Sequence, residues 1–248
     1  MDRGWRETSV ISEPPFDLTA SLPSLTIIVA TLNEREALPE TVAALRALRG
    51  NFELLFVDGG STDGTREWLA ESALQVVTEG QGRGAQFAAG AARAEAPILW
   101  FLHADCRPEN QALRLILDAV EQGAVAGVCS LRFQGDGASA RFMTWLYPKL
   151  SVLGLFYGDA GLFVRADVYR TLGGMRSWPL FEDLDFITRL RRHHPGSFRR
   201  IPARIESSSR RFHGPRFPVA FARWVALQCL YWLGVSPRLL AQLYRPVR

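Results

Sequence analysis

With 248 residues, 48% of them hydrophobic and 22% charged, the chain can bury the core of one large domain or two small ones and is too apolar to be disordered or a coiled coil. Its net charge is only +4, with Lys149 the sole lysine among 29 basic residues; the planar arginine fork suits phosphates, and nucleic acid is not an expected partner. The three cysteines, Cys106, Cys129 and Cys229, lie far apart without Cys-x-x-Cys spacing, which argues against a disulfide framework or a zinc site and fits a reducing, cytoplasmic setting.

Residues 1–23, with Asp2, Arg3, Arg6, Glu7 and Pro14-Pro15, lack the apolar stretch of a secretory signal and read as a loose tail. From Leu25 onward, short β-branched or apolar runs alternate with helical patterns, the mark of βαβ units and a mostly parallel sheet. The first strand is predicted over Leu25–Ala30 and ends in Thr31-Leu32-Asn33-Glu34. A helix follows on Leu38, Val42, Leu45 and Leu48 and stops at Gly50.

The second strand, Glu53–Val57, delivers Asp58 into the turn Asp58-Gly59-Gly60-Ser61-Thr62-Asp63-Gly64-Thr65. In open α/β sheets ligands settle beyond the carboxyl ends of the strands, where a carboxylate can hydrogen-bond a base or ribose and glycines let the backbone come close. Asp58 with Gly59, and Asn33 or Glu34 from the first strand, are therefore nucleoside-contact candidates. The plainer reading of these turns is helix capping, for which Ser61, Thr62 and Asp63 are all suited.

A helix over Thr65–Ala73 and a strand over Gln75–Thr78 come next, then Gly80-Gln81-Gly82-Arg83-Gly84 and an alanine-rich helix over Gln86–Ala94. This glycine turn sits on the third unit rather than the first and lacks dinucleotide spacing, so Arg83 is read as a phosphate or base-edge contact or as part of a plain turn. The fourth strand, Ile98–Leu102, ends in His103-Ala104-Asp105. A carboxylate beside a diphosphate holds Mg²⁺ or Mn²⁺ with few protein ligands, because such ions keep water and bind phosphate oxygens. Asp105 is the metal candidate; His103 is a second ligand, a hydrogen-bond partner or a simple strand-end residue.

Four motifs in order resemble the family 2 glycosyltransferases of the GT-A fold: Thr31-Leu32-Asn33-Glu34, Val57–Thr65, Gly82-Arg83-Gly84 and His103-Ala104-Asp105. Gly158-Asp159-Ala160-Gly161 and Phe181-Glu182-Asp183-Leu184-Asp185 extend the resemblance over residues 25–213. The likeness implies a nucleotide-diphosphate-sugar donor with UDP favoured, and Mn²⁺ or Mg²⁺ as cofactor. It places Thr31, Asn33, Glu34, Asp58, Gly59, Arg83, His103, Ala104 and Asp105 at the donor, with Asp105 on the metal and Asp183 as catalytic base. Two departures stand out: Gly59 replaces a second aspartate, and His103 replaces the first aspartate of Asp-x-Asp, as in a bacterial subgroup with a His-Ala-Asp form.

Glu182-Asp183 opens a predicted helix, Glu182–His194, and a carboxylate there can deprotonate an acceptor hydroxyl; the competing reading is that the acids only complement the helix dipole. Gly158 and Asp159 are read as the acceptor side, and Arg210 and Arg211 as a diphosphate clamp, with His213 a further candidate metal ligand. The expected reaction is an inverting direct displacement; a nucleotidyltransferase or an inactive nucleotide-sugar binder are the alternatives. The first lacks a triphosphate loop after strand one.

The remaining expected elements are a helix after Pro108, a strand over Val125–Phe133, a strand-like Gly158–Val164 and a short helix, Ala166–Leu172, closed by Gly173-Gly174. Domain limits are set at 24–214, with a donor half to 106 and an acceptor half beyond, followed by a C-terminal segment, 215–248. Within it, 217–235 is apolar and aromatic. As a membrane span it would enclose Arg223, at a cost of about 2.5–3.5 kcal/mol; an amphipathic helix is expected, packed on the domain or touching a membrane surface at the inner face.

Overall fold

The computed structural model describes residues 22–80, 82–152, 158–209 and 217–243. Strands β1 (Leu25–Thr31), β2 (Phe52–Asp58), β3 (Gln75–Thr78) and β4 (Ile98–His103) alternate with helices α1 (Leu38–Arg46), α2 (Thr65–Glu71) and α3 (Arg83–Arg93). All four strands pair in parallel, as their near-continuous apolar runs predict for strands covered on both faces. Leu25, Ile27, Ile28, Leu55, Phe56 and Trp100 are fully or almost fully buried.

The second half departs from a simple parallel pattern. After β5 (Cys106–Pro108) and α4 (Ala112–Glu121) come β6 (Ala126–Phe133), α5 (Ala138–Val152), a 3₁₀ turn at Gly158–Ala160, β7 (Leu162–Arg165) and α6 (Ala166–Thr171). Helix α7 (Glu182–His193) then leads to β8 (Phe198–Ser207), and α8 (Phe217–Trp232) and α9 (Pro237–Leu243) end the described chain. The sheet runs β3-β2-β1-β4-β7-β6-β8-β5. β7 is antiparallel to both β4 and β6, β8 is parallel to β6, and β5 is antiparallel to β8.

Three elements escape the sequence pattern for physical reasons. β8 alternates buried and exposed residues only from Ile201 onward, and its outward positions are three arginines, Pro202 and Glu206. α5 contains Pro148 and a mixed aromatic face. β5 is only three residues long and depends on its β8 partner.

The core is continuous across both halves and takes in Leu227 of α8 and Leu240 of α9. No helix among the described residues is long and apolar enough to cross a membrane.

Gly161 shows how tightly the 3₁₀ turn is seated. Its φ is 66°, and a Cβ there would overlap Ile205 Cδ1 and lie 2.8 Å from Trp100 Nε1. Gly161→Ala combines left-handed strain with overpacking and is expected to cost roughly 2–4 kcal/mol in urea denaturation. An unchanged midpoint would show that the turn can move away from the β4 and β8 side chains.

Candidate functional site

The parallel register sets Thr31 beside Asp58 and Ala30 beside His103, so three strand ends reach one edge together. Their buried backbone groups need partners. Gln86 of α3, itself buried, donates its amide to Thr31 O at 2.7 Å and Val57 O at 2.8 Å. Thr41 of α1 donates to Ala104 O at 2.7 Å, fixing the turn between His103 and Asp105. Neither residue stood out in the sequence; the only signal was a polar side chain on the apolar stripe of a helix.

The turns after β1 and β2 interlock. Asn33, with φ of 55°, accepts from Thr62 N at 2.8 Å while its own N–H donates to Ser61 Oγ at 2.9 Å. Glu34 N donates to Thr65 Oγ1 at 3.0 Å, and Arg35 N to Asp63 Oδ2 at 3.1 Å. The N-cap of α2 is Gly64, without a side-chain cap. Ser61 and Thr62 thus tie the two turns together, and Asp63 does so while also accepting from Thr65 N, the first residue of α2, at 3.0 Å.

Asp58 is 1% exposed and its carboxylate faces its own turn. Oδ2 accepts from Gly60 N at 2.9 Å and Ser61 N at 3.0 Å, and Oδ1 accepts from the Ser61 hydroxyl. Thr31, equally buried, donates to Val57 O. Gly59 N donates to Thr31 O at 2.9 Å, and a Cβ on Gly59 would sit 3.1 Å from the Gln86 amide. These residues shape the edge from within, whereas Asn33 and Glu34 are partly exposed on it.

Beyond β4, His103 Nε2 lies 3.2 Å from Asp159 Oδ1, in the 3₁₀ turn that Gly158 opens. Burial, together with the nearby Asp105 and Asp159 carboxylates, pushes the Cys106 thiol well above its usual range. Cys106 pairs with Ser207 of β8, so the strand invisible to sequence periodicity holds the segment after Asp105. His103, Asp105 and Asp159 are therefore gathered at one place. Among the described residues no group of three or more His, Cys, Asp or Glu has the geometry to hold a metal by itself.

Across the edge, Arg83 Nε meets Glu182 Oε1 at 3.0 Å, joining the start of α3 to the start of α7. The packing is close: a Cβ at Gly84 would overlap the Arg176 carbonyl and lie 3.1 Å from Glu182 Cβ. Glu182 is 1% exposed, and its Oε2 has no hydrogen-bond partner among the described residues. Burial raises its pKa to about 7 against the pull of Arg83, with Asp183 and Asp159 adding to the rise. Glu182 thus lies within electrostatic reach of Asp159, whose charge opposes its ionisation.

Asp183 is nearly buried and accepts from Leu184 N at 2.7 Å. Asp185 is held by Arg176 at 3.2 Å and Arg189 at 2.8 Å, and Arg189 also donates to the carbonyls of Leu172 and Gly174. Asp185 is consequently a structural anchor. Phe181 before them adopts φ of 61°, a strained conformation for an aromatic residue costing about 1–2 kcal/mol. Its ring stacks on Tyr231 of α8 at 4.7 Å. Arg210, Arg211 and His213 lie outside the described residues, as does most of the expected N-terminal tail.

The raised pKa of Glu182 has a definite sign. The folded state keeps a proton that the unfolded state releases near 4.5, so this group's contribution is full below pH ~4.5 and is lost as pH rises through about 7. Glu182→Gln should remove this slope, gaining on the wild type by an amount on the order of 3 kcal/mol across the window. Parallel stability–pH curves for the two proteins would refute the buried, proton-holding carboxyl.

The sequence matches the family described as Glycosyl transferase family 2 over residues 26–171. It is 30% identical over 173 residues to glycosyltransferase AglE of Haloferax volcanii, covering 63% of this chain and 57% of that protein. It is 29% identical over 158 residues to the undecaprenyl-phosphate 4-deoxy-4-formamido-L-arabinose transferase of Pseudomonas fluorescens, covering 57% and 46%. The chain spans about half the length of the curated relatives it matches. In fold it resembles S. aureus TarS 1-349 in complex with UDP-GlcNAc, with a TM-score of 0.61 at 14% identity over 79% of this chain and 60% of that one. The mannosyltransferase PcManGT from Pyrobaculum calidifontis, in complex with GDP-Man and Mn²⁺, gives 0.59 at 19% identity over 82% and 60%. The family match over more than half of the chain, at the strand ends and turns just described, makes this protein a member of glycosyl transferase family 2.

Proposed function

We propose that the protein moves a sugar from a nucleotide-diphosphate sugar to an acceptor hydroxyl, with Mn²⁺ or Mg²⁺ assisting departure of the diphosphate. The observation that carries this reading is the gathering of Arg83, His103, Asp105, Asp159, Glu182 and Asp183 around one carboxyl edge, linked by the Arg83–Glu182 and His103–Asp159 contacts. The TarS complex with UDP-GlcNAc supports a UDP-sugar, and the GDP-Man complex of PcManGT leaves GDP-sugars as the next to test.

Asn33 and Glu34 offer polar groups to the nucleoside from the first turn. Asp58, Thr31 and Gly59 build the floor, and the nucleoside contact expected of Asp58 would be made through this turn. Arg83 faces the diphosphate side, and Arg210 and Arg211 are the proposed clamp. Asp105 suits a hard divalent cation: a partly exposed carboxylate leaves room for diphosphate oxygens and water to complete the coordination, with the borderline imidazole of His103, whose Nε2 already meets Asp159, a weaker second ligand. Such an ion would offset the charge developing on the leaving diphosphate. Asp159, which meets His103, is the proposed acceptor-side residue.

In the proposed displacement the acceptor oxygen bonds to the anomeric carbon as the bond to the diphosphate oxygen breaks, and Asp183 takes the acceptor proton. The product has inverted configuration. A second reading follows from the Pseudomonas relative, whose name specifies undecaprenyl phosphate. A phosphate acceptor is already ionised at neutral pH and needs no base, leaving Asp183 a positioning role.

Donor binding is tested by thermal shift: UDP with Mn²⁺ should raise the melting temperature by mass action, and Asp105→Ala should abolish the metal-dependent part. No shift with any nucleoside diphosphate would refute the donor site. A screen of nucleotide sugars for metal-dependent hydrolysis identifies the donor without knowledge of the acceptor. With that donor, Asp183→Asn should keep binding and lower turnover by roughly 10²–10⁴-fold if the acceptor is a hydroxyl. Turnover near the wild-type rate with a polyprenyl phosphate would select the second reading.

A further inference from the structure

The last two helices turn an apolar face outward. α8 packs on the core through Phe221, Trp224, Leu227 and Tyr231, yet Val219 is 71% and Trp232 57% exposed, as is Leu233, just past its end, at 81%. Leu239 and Leu243 of α9 are each about half exposed. α5 adjoins α8, with Phe142 5.9 Å from Phe221, and it presents Trp145 at 56% exposure. Adjoining, outward-facing aromatic and aliphatic side chains on three helices are unusual unless something covers them.

The charges on these three helices have one sign. From Phe217 to Leu243 there is no Asp or Glu, and the charged residues are Arg223 and Arg238, both exposed. α5 likewise carries Arg141 and Lys149 and no acid, and Lys149 Nζ sits 3.3 Å from the centre of the Trp145 ring. An apolar helix face with tryptophans and basic residues matches the headgroup boundary of an anionic bilayer, where rings sit at the interface and cations meet lipid phosphates. A second copy of the chain would set these arginines against their own kind.

We infer that α8 and α9, with the adjoining face of α5, form a docking surface for an anionic membrane. The helices lie in the headgroup layer without crossing it. The underside of α8 meets the candidate site, because Tyr231 stacks on Phe181 and burial beside Asp185 and Asp183 raises its hydroxyl pKa. Docking therefore brings the acceptor side of the edge to the lipid surface. The surface stands apart from the donor chemistry and can fail without it.

The test is flotation of the full-length protein with vesicles of phosphatidylcholine alone and with about 30% phosphatidylglycerol. The protein should float with the anionic vesicles and be released from them by high salt. Trp232→Ser/Leu233→Ser should weaken binding roughly 10-fold or more. Arg223→Glu/Lys149→Glu should weaken it by a similar factor, at roughly five-fold per basic residue removed. Both variants alter exposed positions and should keep the wild-type melting temperature and UDP response. The inference is overturned if the wild type stays at the bottom of the gradient, or if neither variant changes its flotation. It is equally overturned if light scattering shows a dimer that the serine variant dissociates while vesicles bind nothing, since the face would then join two copies.

Discussion

A parallel sheet covered by helices leaves the last carbonyl of each strand out of reach of water, and the carboxyl edge of this protein depends on how those groups are satisfied. Gln86 supplies two of the partners with a single amide, and Thr41 supplies a third. An unmet buried carbonyl would cost about 1–3 kcal/mol, comparable to a large part of a domain's net stability. The interlocked turns after β1 and β2 extend the same solution outward, with each turn acting as hydrogen-bond partner for the other. The turns of the site are thus held by the same bonds that satisfy the strand ends.

That arrangement explains why conspicuous residues have quiet roles. Asp58 was the most visible carboxylate in the sequence, yet its oxygens hold Gly60 and Ser61 in place. Asp185 anchors two arginines. Glu182, in contrast, lies in a pocket where burial outweighs its ion pair, leaving a carboxyl that holds its proton near neutrality. Adjacent acids at one helix start are driven apart in behaviour by their surroundings.

The first half of the fold was legible because apolar runs, glycine stops and strand-end polar residues repeat at regular spacing, and β1 to β4 fall within a residue or two of their expected bounds. The motifs themselves, from Asn33 to Asp183, stood out through their order and their resemblance to the family. β8 was not: its outward side chains are mostly arginines, and only the pairing with β6 and β5 makes it a strand. Gln86 and Thr41 were hidden because their importance lies in carbonyls 29 to 63 residues away in sequence. The Phe181–Tyr231 stack likewise joins segments that no local pattern connects.

Two residues, Ala104 and Asp105, separate β4 in the middle of the sheet from β5 at its far end. The sheet must therefore curl back on itself within the length of a single peptide unit or two, and the crease falls at the proposed metal ligand. Mechanically, Asp105 is the hinge pin of a closed clasp whose other leaf is the β5–β8 pairing. The β5–β8 pairing on one side of Asp105 and the Thr41 bond to Ala104 O on the other thus fix where its carboxylate stands, so the outermost strand of the sheet contributes to the accuracy of the site.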